Sequence, residues 1–421
     1  MRFDLFKNHS KKKLRNIRST VVYENNFIDN IYLACTCCYD NTKKDITTRD
    51  KLSYIGKRVK AGHDSILEHG TLIIAVHDIP KDVNFYEDYI NAINNDSIHY
   101  LHVYDNLYTR NSTDNKTFDI IIGGSIRGWK HYISKKINYV GNVIVDLIIT
   151  RVFKSVPIEF FVDLIDKNES VKIATKYCKY EDKDLEYTSE LDYVNNTGLP
   201  SYDSVYDKPF KYGKKEQSFR KSICLGIDIS KYLIAIAYVK RYDFETNILF
   251  DMIPVMVEFT NISRTATHQL VRHRNAITQE SQRYVDYSNA TFTTPEIDYI
   301  GTDKMFDITD EYKLPFDEIG DKLMSIYSSL LSQGVKKEDA RAFLPSNVNC
   351  GRLYMTFTIS SLIKFLELRT DKHAQLEIRK YALAINSVID GIKKDYSGGP
   401  YLLFPYSEIL DNEDDIYYVG K

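Results

Sequence analysis

The stretch VRHRNAITQESQRYVDYS, residues 271–288, concentrates side chains that can bind anions. Arg272, His273 and Arg274 follow one another at the end of a segment with helical periodicity. On such a helix, Gln269 and His273 lie one turn apart and share a face. A cationic helix end taken alone is typical of a solvated surface, so the residues that follow decide the interpretation.

The segment QESQRY, residues 279–284, adds an amide, a carboxylate, a hydroxyl and a guanidinium after a short polar loop. Ser281 and Arg283 can hold a phosphate group between them. Gln279 or Glu280 can reach the hydrogen-bonding edge of a ring. Together with the basic triplet, this composition predicts a site for a small phosphorylated ligand.

Three further segments carry groups of the same kind. They are GHDSILEH (62–69), EDARAFLPSN (338–347) and LELRTDKHAQLEIR (366–379). The first, taken alone, is typical of a structural turn. Arg341 lies in a helix that ends near a proline, and Arg369 ends the following helix. A single arginine at such a junction is usually a surface residue, but several can reach into one cleft.

Composition excludes several classes of protein. The formal net charge is -2 over 421 residues and the pI is about 6.6, so no global basic field favours a nucleic-acid partner. The six cysteines form no repeated CxxC pair, which argues against a metal site. No signal peptide is recognised, and no stretch approaches the roughly 20 apolar residues of a membrane span. We therefore expect reduced thiols in a cytoplasmic protein, a host cytoplasm if the source is viral.

The chain is long enough for two or three folded units. The polar segment broken by Pro and Gly at 181–222 is the candidate linker, which predicts an N-terminal half at 1–180 and a C-terminal half at 223–421. Both halves contain a strand, a turn of small residues and a helix, in IIIGGSIRGWKHYI and MTFTISSLIKFLEL. The chemically interesting segments lie at the ends of such elements.

Taken together, the segments resemble the flavin-dependent thymidylate synthases, whose signature is R-H-R, seven residues, then S. Five segments are similar to sequences of that family: SRTATHQLVRHR, QESQRYVDYS, GHDSILEH, ARAFLP and LRTDKHAQLEI. Here six residues, 275–280, separate Arg274 from Ser281. The family also carries N-x-R before the penultimate helix, where this chain has Thr358 and Ser360; an arginine in a similar segment, Arg127, lies in the first half.

The resemblance implies an α+β fold, with a small, mainly antiparallel sheet packed with helices, and we expect two related halves here. It implies dUMP as substrate, FAD as cofactor, and NADPH and methylenetetrahydrofolate as co-substrates. It implies a homo-oligomer, a tetramer or, if the chain is internally duplicated, a dimer. No metal, nucleic acid or membrane is implied.

Roles of residues follow from the same resemblance. The implied catalytic residues are Arg369 and Ser281, the latter as a ligand contact because no base is placed to activate it as a nucleophile. The implied substrate-binding residues are Gln269, Gln279, Glu280, Ser281, Arg283, Tyr284, Arg341 and Arg369. The implied cofactor-binding residues are His69, Arg127, Arg272, His273, Arg274 and His373.

Alternatives stay open at this stage. The GHDSILEH and RHR segments lie close together in the family but are far apart here, so the chain is either a partial duplication whose halves share one site or a member with a long insertion. The shortened loop and the missing N-x-R keep open a non-catalytic nucleotide-binding or scaffold descendant. A variant enzyme that modifies another pyrimidine nucleotide at C5 is the third alternative.

Overall fold

The computed structural model of the protein describes residues 17–38, 46–94, 100–107, 116–139, 142–178, 223–226, 229–291, 305–309 and 312–395. We call residues 17–178 the first half and residues 223–395 the second half. The predicted linker, 181–222, lies outside the described residues, and the domain boundaries stay a prediction. Within the described part of the chain, no helix is both long and apolar enough to cross a membrane.

Helices and strands alternate through both halves. The first half contains β1 (Arg18–Glu24), α1 (Phe27–Cys37), α2 (Thr48–Lys60), β2 (Thr71–Pro80), α3 (Val83–Ile93), β3 (Leu101–Asp105), β4 (Thr117–Ser125), α4 (Ile126–Lys136), α5 (Val143–Ser155), α6 (Val162–Lys167) and α7 (Glu169–Tyr177). The second half contains β5 (Ile223–Gly226), α8 (Ile229–Arg241), β6 (Pro254–Ser263), α9 (Arg264–Leu270), β7 (Ala276–Gln279), β8 (Met305–Thr309), β9 (Tyr312–Pro315), α10 (Phe316–Ser332), α11 (Lys337–Ala340), β10 (Asn349–Thr358), α12 (Ile359–Thr370) and α13 (Leu376–Asp395). Short 3-10 helices lie at Asp64–His69, Ile158–Phe161, Thr246–Asp251, Val271–His273 and Arg341–Phe343.

Within the described ranges, the strands form two four-stranded sheets and one hairpin. The first sheet has the order β1-β2-β4-β3, the second has the order β5-β6-β10-β7, and β8 pairs with β9. Every strand pair is antiparallel. This arrangement confirms the predicted α+β class with mainly antiparallel sheets.

Hydrogen-bonding caps fix where the helices begin. The Thr47 hydroxyl accepts a hydrogen bond from the backbone N–H of Asp50 at the start of α2. At the end of β10, Thr358 and Ser361 cap α12 reciprocally, so the strand turns directly into the helix. The segment KLSYIGKRVK, residues 51–60, forms most of α2, and Gly62 follows the helix with φ of 86°.

The core is continuous between the halves because β2 is covered on both faces. Leu72, Ile74 and Val76 pack with the helices of the first half. Ile73 and Ala75, which point to the opposite face, pack with α8 and with strands β6 and β10 of the second half. An apolar run without polar alternation is therefore what this strand requires.

One local interpretation was wrong. The sequence predicted a polar loop between the basic triplet and Ser281. In the structure, Ala276–Gln279 form strand β7, which pairs with β10. The strand exists because Ile277 lies opposite Met355 and Thr278 lies opposite Tyr354, in the middle of a buried strand. Tertiary pairing has overridden a weak local preference.

Candidate active site

The basic triplet forms a tight turn at the end of a helix. Helix α9 ends at Leu270, the 3-10 helix 271–273 follows, and Arg274 closes it with a left-handed φ of 54°. An L-residue in that conformation costs about 1–2 kcal/mol. The side-chain amide of Asn275 donates to the carbonyl of His273 at 3.1 Å and stabilises the turn. Arg272 and Arg274 are both left exposed on the surface.

His273 is held directly by Arg369. The Arg369 Nε donates to His273 Nε2 at 2.9 Å, across 96 residues of sequence. Because a guanidinium only donates, Nε2 must be unprotonated and the ring neutral. Burial, and then the positive charge of Arg369, lowers the pKa of His273. The ring also meets Phe365 edge-on, with centroids 5.0 Å apart.

Two glutamines and a glutamate attach α9 to its neighbours. Gln269 Nε2 donates to Gln375 Oε1 at 3.2 Å. The carboxylate of Glu377 accepts from the backbone N–H of Ser263 at 2.8 Å and from its hydroxyl at 2.5 Å. The start of α9 is thereby fixed to the start of α13, and the end of α9 to the end of α12 through Arg369.

The loop after β7 brings two of the predicted phosphate-binding arginines together. Arg283 Nε and Nη2 lie 3.3 and 3.1 Å from Glu338 Oε2. Arg341 Nε donates to the Glu338 carbonyl at 3.1 Å. The Ser281 hydroxyl accepts from the backbone N–H of Arg283 at 3.3 Å, which shapes the loop. Arg283 is half exposed, at 51%, and its guanidinium carbon lies 5.5 Å from the exposed ring of Tyr284.

Glu280 and Gln279 point into the protein. Glu280 is 7% exposed, and its Oε1 accepts from the backbone N–H of Gly351 at 3.3 Å. A Cβ on Gly351 would overlap the carboxylate of Glu280, so a larger residue at position 351 would displace this side chain. Gln279 Nε2 donates to Thr267 Oγ1 at 3.3 Å. These two residues hold the loop; their contacts with a ligand stay a prediction.

The first half supplies His69 to the same region. His69 is fully buried; its Nδ1 lies 2.9 Å from Thr356 Oγ1 and its Nε2 lies 2.9 Å from Thr278 Oγ1. One imidazole therefore joins β10 and β7 of the second half. The preceding residue, Glu68, forms an ion pair with Arg127, which is the first-half arginine of the GGSIRGW segment.

The predicted residues thus fall into two groups around β7. Arg369, His273 and Gln269 lie at its beginning, whereas Arg283 and Arg341 lie beyond its end. His373 contacts Asp371 instead: its Nδ1 lies 2.8 Å from the Asp371 carboxylate, and the side chain is 82% exposed. The structure adds Glu338 and Glu377 to these groups, and the local sequence gave no signal for either. It also adds Thr278 and Thr356, whose positions follow only from the pairing of their strands.

Three cysteines, at positions 35, 37 and 38, lie beside the site, and burial raises the pKa of each thiol. Cys35 and Cys37 are buried, and burial raises the pKa of Cys35 to about 12. The Cys37 thiol donates to the carbonyl of Arg352 at 3.2 Å. Within the described residues, no three His, Cys, Asp or Glu side chains converge as a metal site would need. A thiol nucleophile is not offered here.

Comparison with known proteins identifies the second half. Residues 210–392 match the family model described as "Thymidylate synthase complementing protein". This part of the chain is therefore similar to the flavin-dependent thymidylate synthases. The flavin-dependent thymidylate synthase of Geobacter sulfurreducens is 34% identical over 132 residues, which are 31% of this chain and 54% of that protein. The enzyme of Pyrococcus furiosus is 38% identical over 125 residues, which are 28% of this chain and 48% of that protein.

The enzyme of the same name from Kosmotoga olearia is 33% identical over 132 residues, which are 28% of this chain and 56% of that protein. The chain thus spans about half the length of the curated relatives that it matches. The family segment contains the basic triplet, β7, Arg283, Arg341 and Arg369. His69 and Arg127, which reach the same region, come from outside it.

The burial of His69 predicts a stability that depends on pH. Burial lowers the pKa of His69 to about 4, while an unfolded histidine titrates near about 6.5. The unfolded chain therefore binds this proton more readily, so the contribution of His69 is complete above about pH 6.5 and is lost as the pH falls toward about 4. His69→Gln should remove this part of the acid destabilisation, measured by urea unfolding at several pH values. His63→Gln, at an exposed position of the same segment, should retain it; equal slopes in the two variants would contradict the assignment.

Proposed function

We propose that the protein is a flavin-dependent thymidylate synthase, which converts dUMP to dTMP with methylenetetrahydrofolate as carbon donor and NADPH as reductant through bound FAD. The observation that carries the proposal is the direct contact of Arg369 with His273. It joins the basic triplet to the arginine that would meet the pyrimidine, within a segment that matches the family model.

The groups that surround the turn suit FAD. Arg272 and Arg274 are exposed on either side of the neutral ring of His273, and guanidinium groups match the oxygens of a pyrophosphate. Exposed apolar side chains at Val271 and Leu368 can cover part of a flat ring system. When bound, FAD supplies the hydride that reduces the transferred carbon. Arg127 and His373 are the further cofactor contacts that we propose.

Arg369 is the residue that we assign to the pyrimidine. A guanidinium at the ring edge stabilises the negative charge that develops on the base as C5 becomes nucleophilic. The contact with His273 fixes its direction, because Nε is engaged and the two terminal nitrogens stay available to a ligand. A neutral His273 also adds no positive charge to compete with Arg369.

Arg283, Arg341 and Ser281 are the groups that we assign to the dUMP phosphate. Arg283 and Arg341 both bind Glu338, through its carboxylate and its carbonyl, and therefore lie close together. Gln269, Gln279 and Tyr284 complete the proposed nucleotide contacts. Glu280, buried against Gly351, contributes by holding the loop that carries Ser281.

A second copy of the chain is the partner that we propose. Tyr284 and Phe343, which are about half exposed, lie next to the phosphate-binding loop. Large apolar side chains beside functional cations are typical of a surface that another subunit covers. A dimer is the assembly that we expect, to be measured by light scattering of the purified chain.

The absorbance spectrum of the purified chain tests the function. We expect a visible flavin band, or its appearance on addition of FAD, and a shift of that band when dUMP is titrated. Arg283→Gln should weaken the dUMP response, and Arg241→Gln, which changes an exposed arginine at the end of α8, should not. A chain that stays colourless with added FAD supports the non-catalytic descendant instead.

Glu338 is expected to compete with the phosphate of dUMP for Arg283. Removing the carboxylate in Glu338→Gln should tighten dUMP binding up to about 5-fold, since exposed ion pairs are worth about 0.2–1 kcal/mol. Calorimetric titration of the FAD-loaded protein measures the change. Glu318→Gln is the matched control, because Glu318 forms a comparable exposed ion pair with Lys322 at 3.3 Å. Unchanged or weaker binding in Glu338→Gln would argue against Arg283 as the phosphate ligand.

A further inference from the structure

The two halves repeat one order of elements. Each four-stranded sheet places its first, second, fourth and third strands side by side in that order. In each half a helix follows the first strand, a short 3-10 helix precedes the second strand, and another helix begins directly after the fourth strand. The helices at those last positions, α4 and α12, are both capped by the residue that ends the strand, Ser125 and Thr358.

The register of the strands repeats as well. The first residue after β3, Asn106, donates its backbone N–H to the carbonyl of Asp119 in β4 at 3.1 Å. The first residue after β7, Glu280, donates its backbone N–H to the carbonyl of Arg352 in β10 at 3.0 Å. These matching bonds make Asn106 and Glu280 equivalent positions of two related units.

Contacts between the halves are exchanged reciprocally. His69, at the end of the first 3-10 helix, lies 2.9 Å from Thr278 in β7. Asp251, at the end of its counterpart in the second half, accepts from the hydroxyl of Tyr104 in β3 at 3.0 Å. Reciprocal contacts of this kind are the mark of a two-fold interface.

The ends of the first helix in each half give a second reciprocal pair. The carbonyl of Cys38, after α1, accepts from the backbone N–H of Ser281 at 3.3 Å. The carbonyl of Tyr242, after α8, accepts from the side-chain amide of Asn106 at 3.0 Å. Each helix therefore ends against the segment that follows the third strand of the other half.

We propose that the chain is a fused pseudo-dimer with one nucleotide and flavin site. The position around Asn106 is equivalent to that site, but buried hydrogen bonds close it to ligands and join the two halves there. We call this position the closed joint. The single-site part rests on the proposed function. The site position has exposed arginines on both sides of β7, at 272, 274 and 283. The segment 100–107, which contains β3, carries no arginine or lysine with which to hold a phosphate.

Buried hydrogen bonds close the position around Asn106. Asn106 is fully buried, and Asp119 is 1% exposed. Asn106 Nδ2 lies 3.2 Å from Asp119 Oδ2, and Asn106 Oδ1 accepts from the backbone N–H of Asp119 at 2.6 Å. Nearby, the buried ring of His77 contacts the hydroxyl of Thr20 in its own half and the hydroxyl of Tyr238 in the second half. The side-chain amide of Asn106 uses its N–H groups on Asp119 and on the carbonyl of Tyr242, which stabilises the joint and leaves this amide no donor for a ligand.

Counting bound ligands tests the single site. Equilibrium dialysis of the full chain against FAD and against dUMP should give one molecule of each per chain. Two molecules of either ligand per chain would overturn the proposal, because the second position would then be open.

Thermal unfolding without ligand tests the closed joint. Asn106→Ala should lower the melting temperature by about 5 °C or more, while Ser281→Ala, in the loop equivalent to the joint, should change it by less than about 2 °C. Equal melting temperatures for Asn106→Ala and the wild-type chain would overturn the joint. If the chain binds neither ligand and Asn106→Ala still melts earlier, the proposed function and its single site fail while the joint stands.

Discussion

Replacing Arg369 by glutamine is expected to lower kcat for dTMP formation about 100- to 1000-fold, the usual effect of removing one donor from developing charge. Glutamine keeps hydrogen-bonding capacity but loses the positive charge that polarises the pyrimidine. Because Arg369 also lowers the pKa of His273, the same variant should raise that pKa. Steady-state kinetics measures the first effect, and an NMR titration of the His273 ring measures the second.

Arg379→Gln is the matched control for Arg369. Arg379 is half-buried, and its Nε donates to the backbone carbonyl of Thr370 at 3.1 Å, in the turn that follows Arg369. Arg379→Gln should leave the pKa of His273 unchanged, and it should not lower kcat by a factor comparable with that of Arg369→Gln. If Arg369→Gln retained full kcat while His273 titrated higher, Arg369 would only position the histidine, and another group would have to polarise the base.

Replacing His69 by alanine is expected to lower the free energy of unfolding by about 4 kcal/mol. The variant leaves the hydroxyls of Thr278 and Thr356 buried without their partner, and each such loss costs about 1–3 kcal/mol. The cavity left by the imidazole adds to this loss. Urea unfolding monitored by circular dichroism measures this change in the free energy of unfolding.

His63→Ala provides the control for His69, since it removes the same ring from an exposed position of the same segment. It should change the free energy of unfolding by no more than about 0.5 kcal/mol. If the two variants were equally stable, His69 would not join the strands, and its fully buried position would need another explanation. A loss of flavin binding in a folded His69→Gln variant would instead support the cofactor contact that the family resemblance implies.

Much of the local structure could be predicted because it depends on neighbours in sequence. Leu52, Ile55 and Val59 have helical spacing, which is a local property of the chain, and Ile55 and Val59 are buried in α2. The alternation of strand and helix, together with the family resemblance, led to the α+β class that the two antiparallel sheets confirm. Strand β7 was missed because its four residues are stabilised by β10, which lies about seventy positions further on.

The candidate residues divide in the same way. Their chemical types alone marked Arg283, Arg341 and Arg369 as anion-binding groups, since guanidinium chemistry does not depend on the fold. The orientation of a side chain does depend on the fold. The sequence context of Glu280 indicated a ligand contact, yet in the structure the side chain turns inward and lies against Gly351. The family resemblance implied a cofactor contact for His69, yet both of its ring nitrogens lie next to threonines of the second half.

The sequence by itself determined which groups this protein can use, namely the arginines and the histidines, and it showed the resemblance of the second half to a family of enzymes. Only the tertiary structure decided which groups meet. Arg369 reaches His273, Glu338 reaches Arg283, and His69 reaches β7 because the order of strands brings distant segments together. Side-chain pairing over such separations depends on sheet order and register, and the local periodicity of the chain does not specify either.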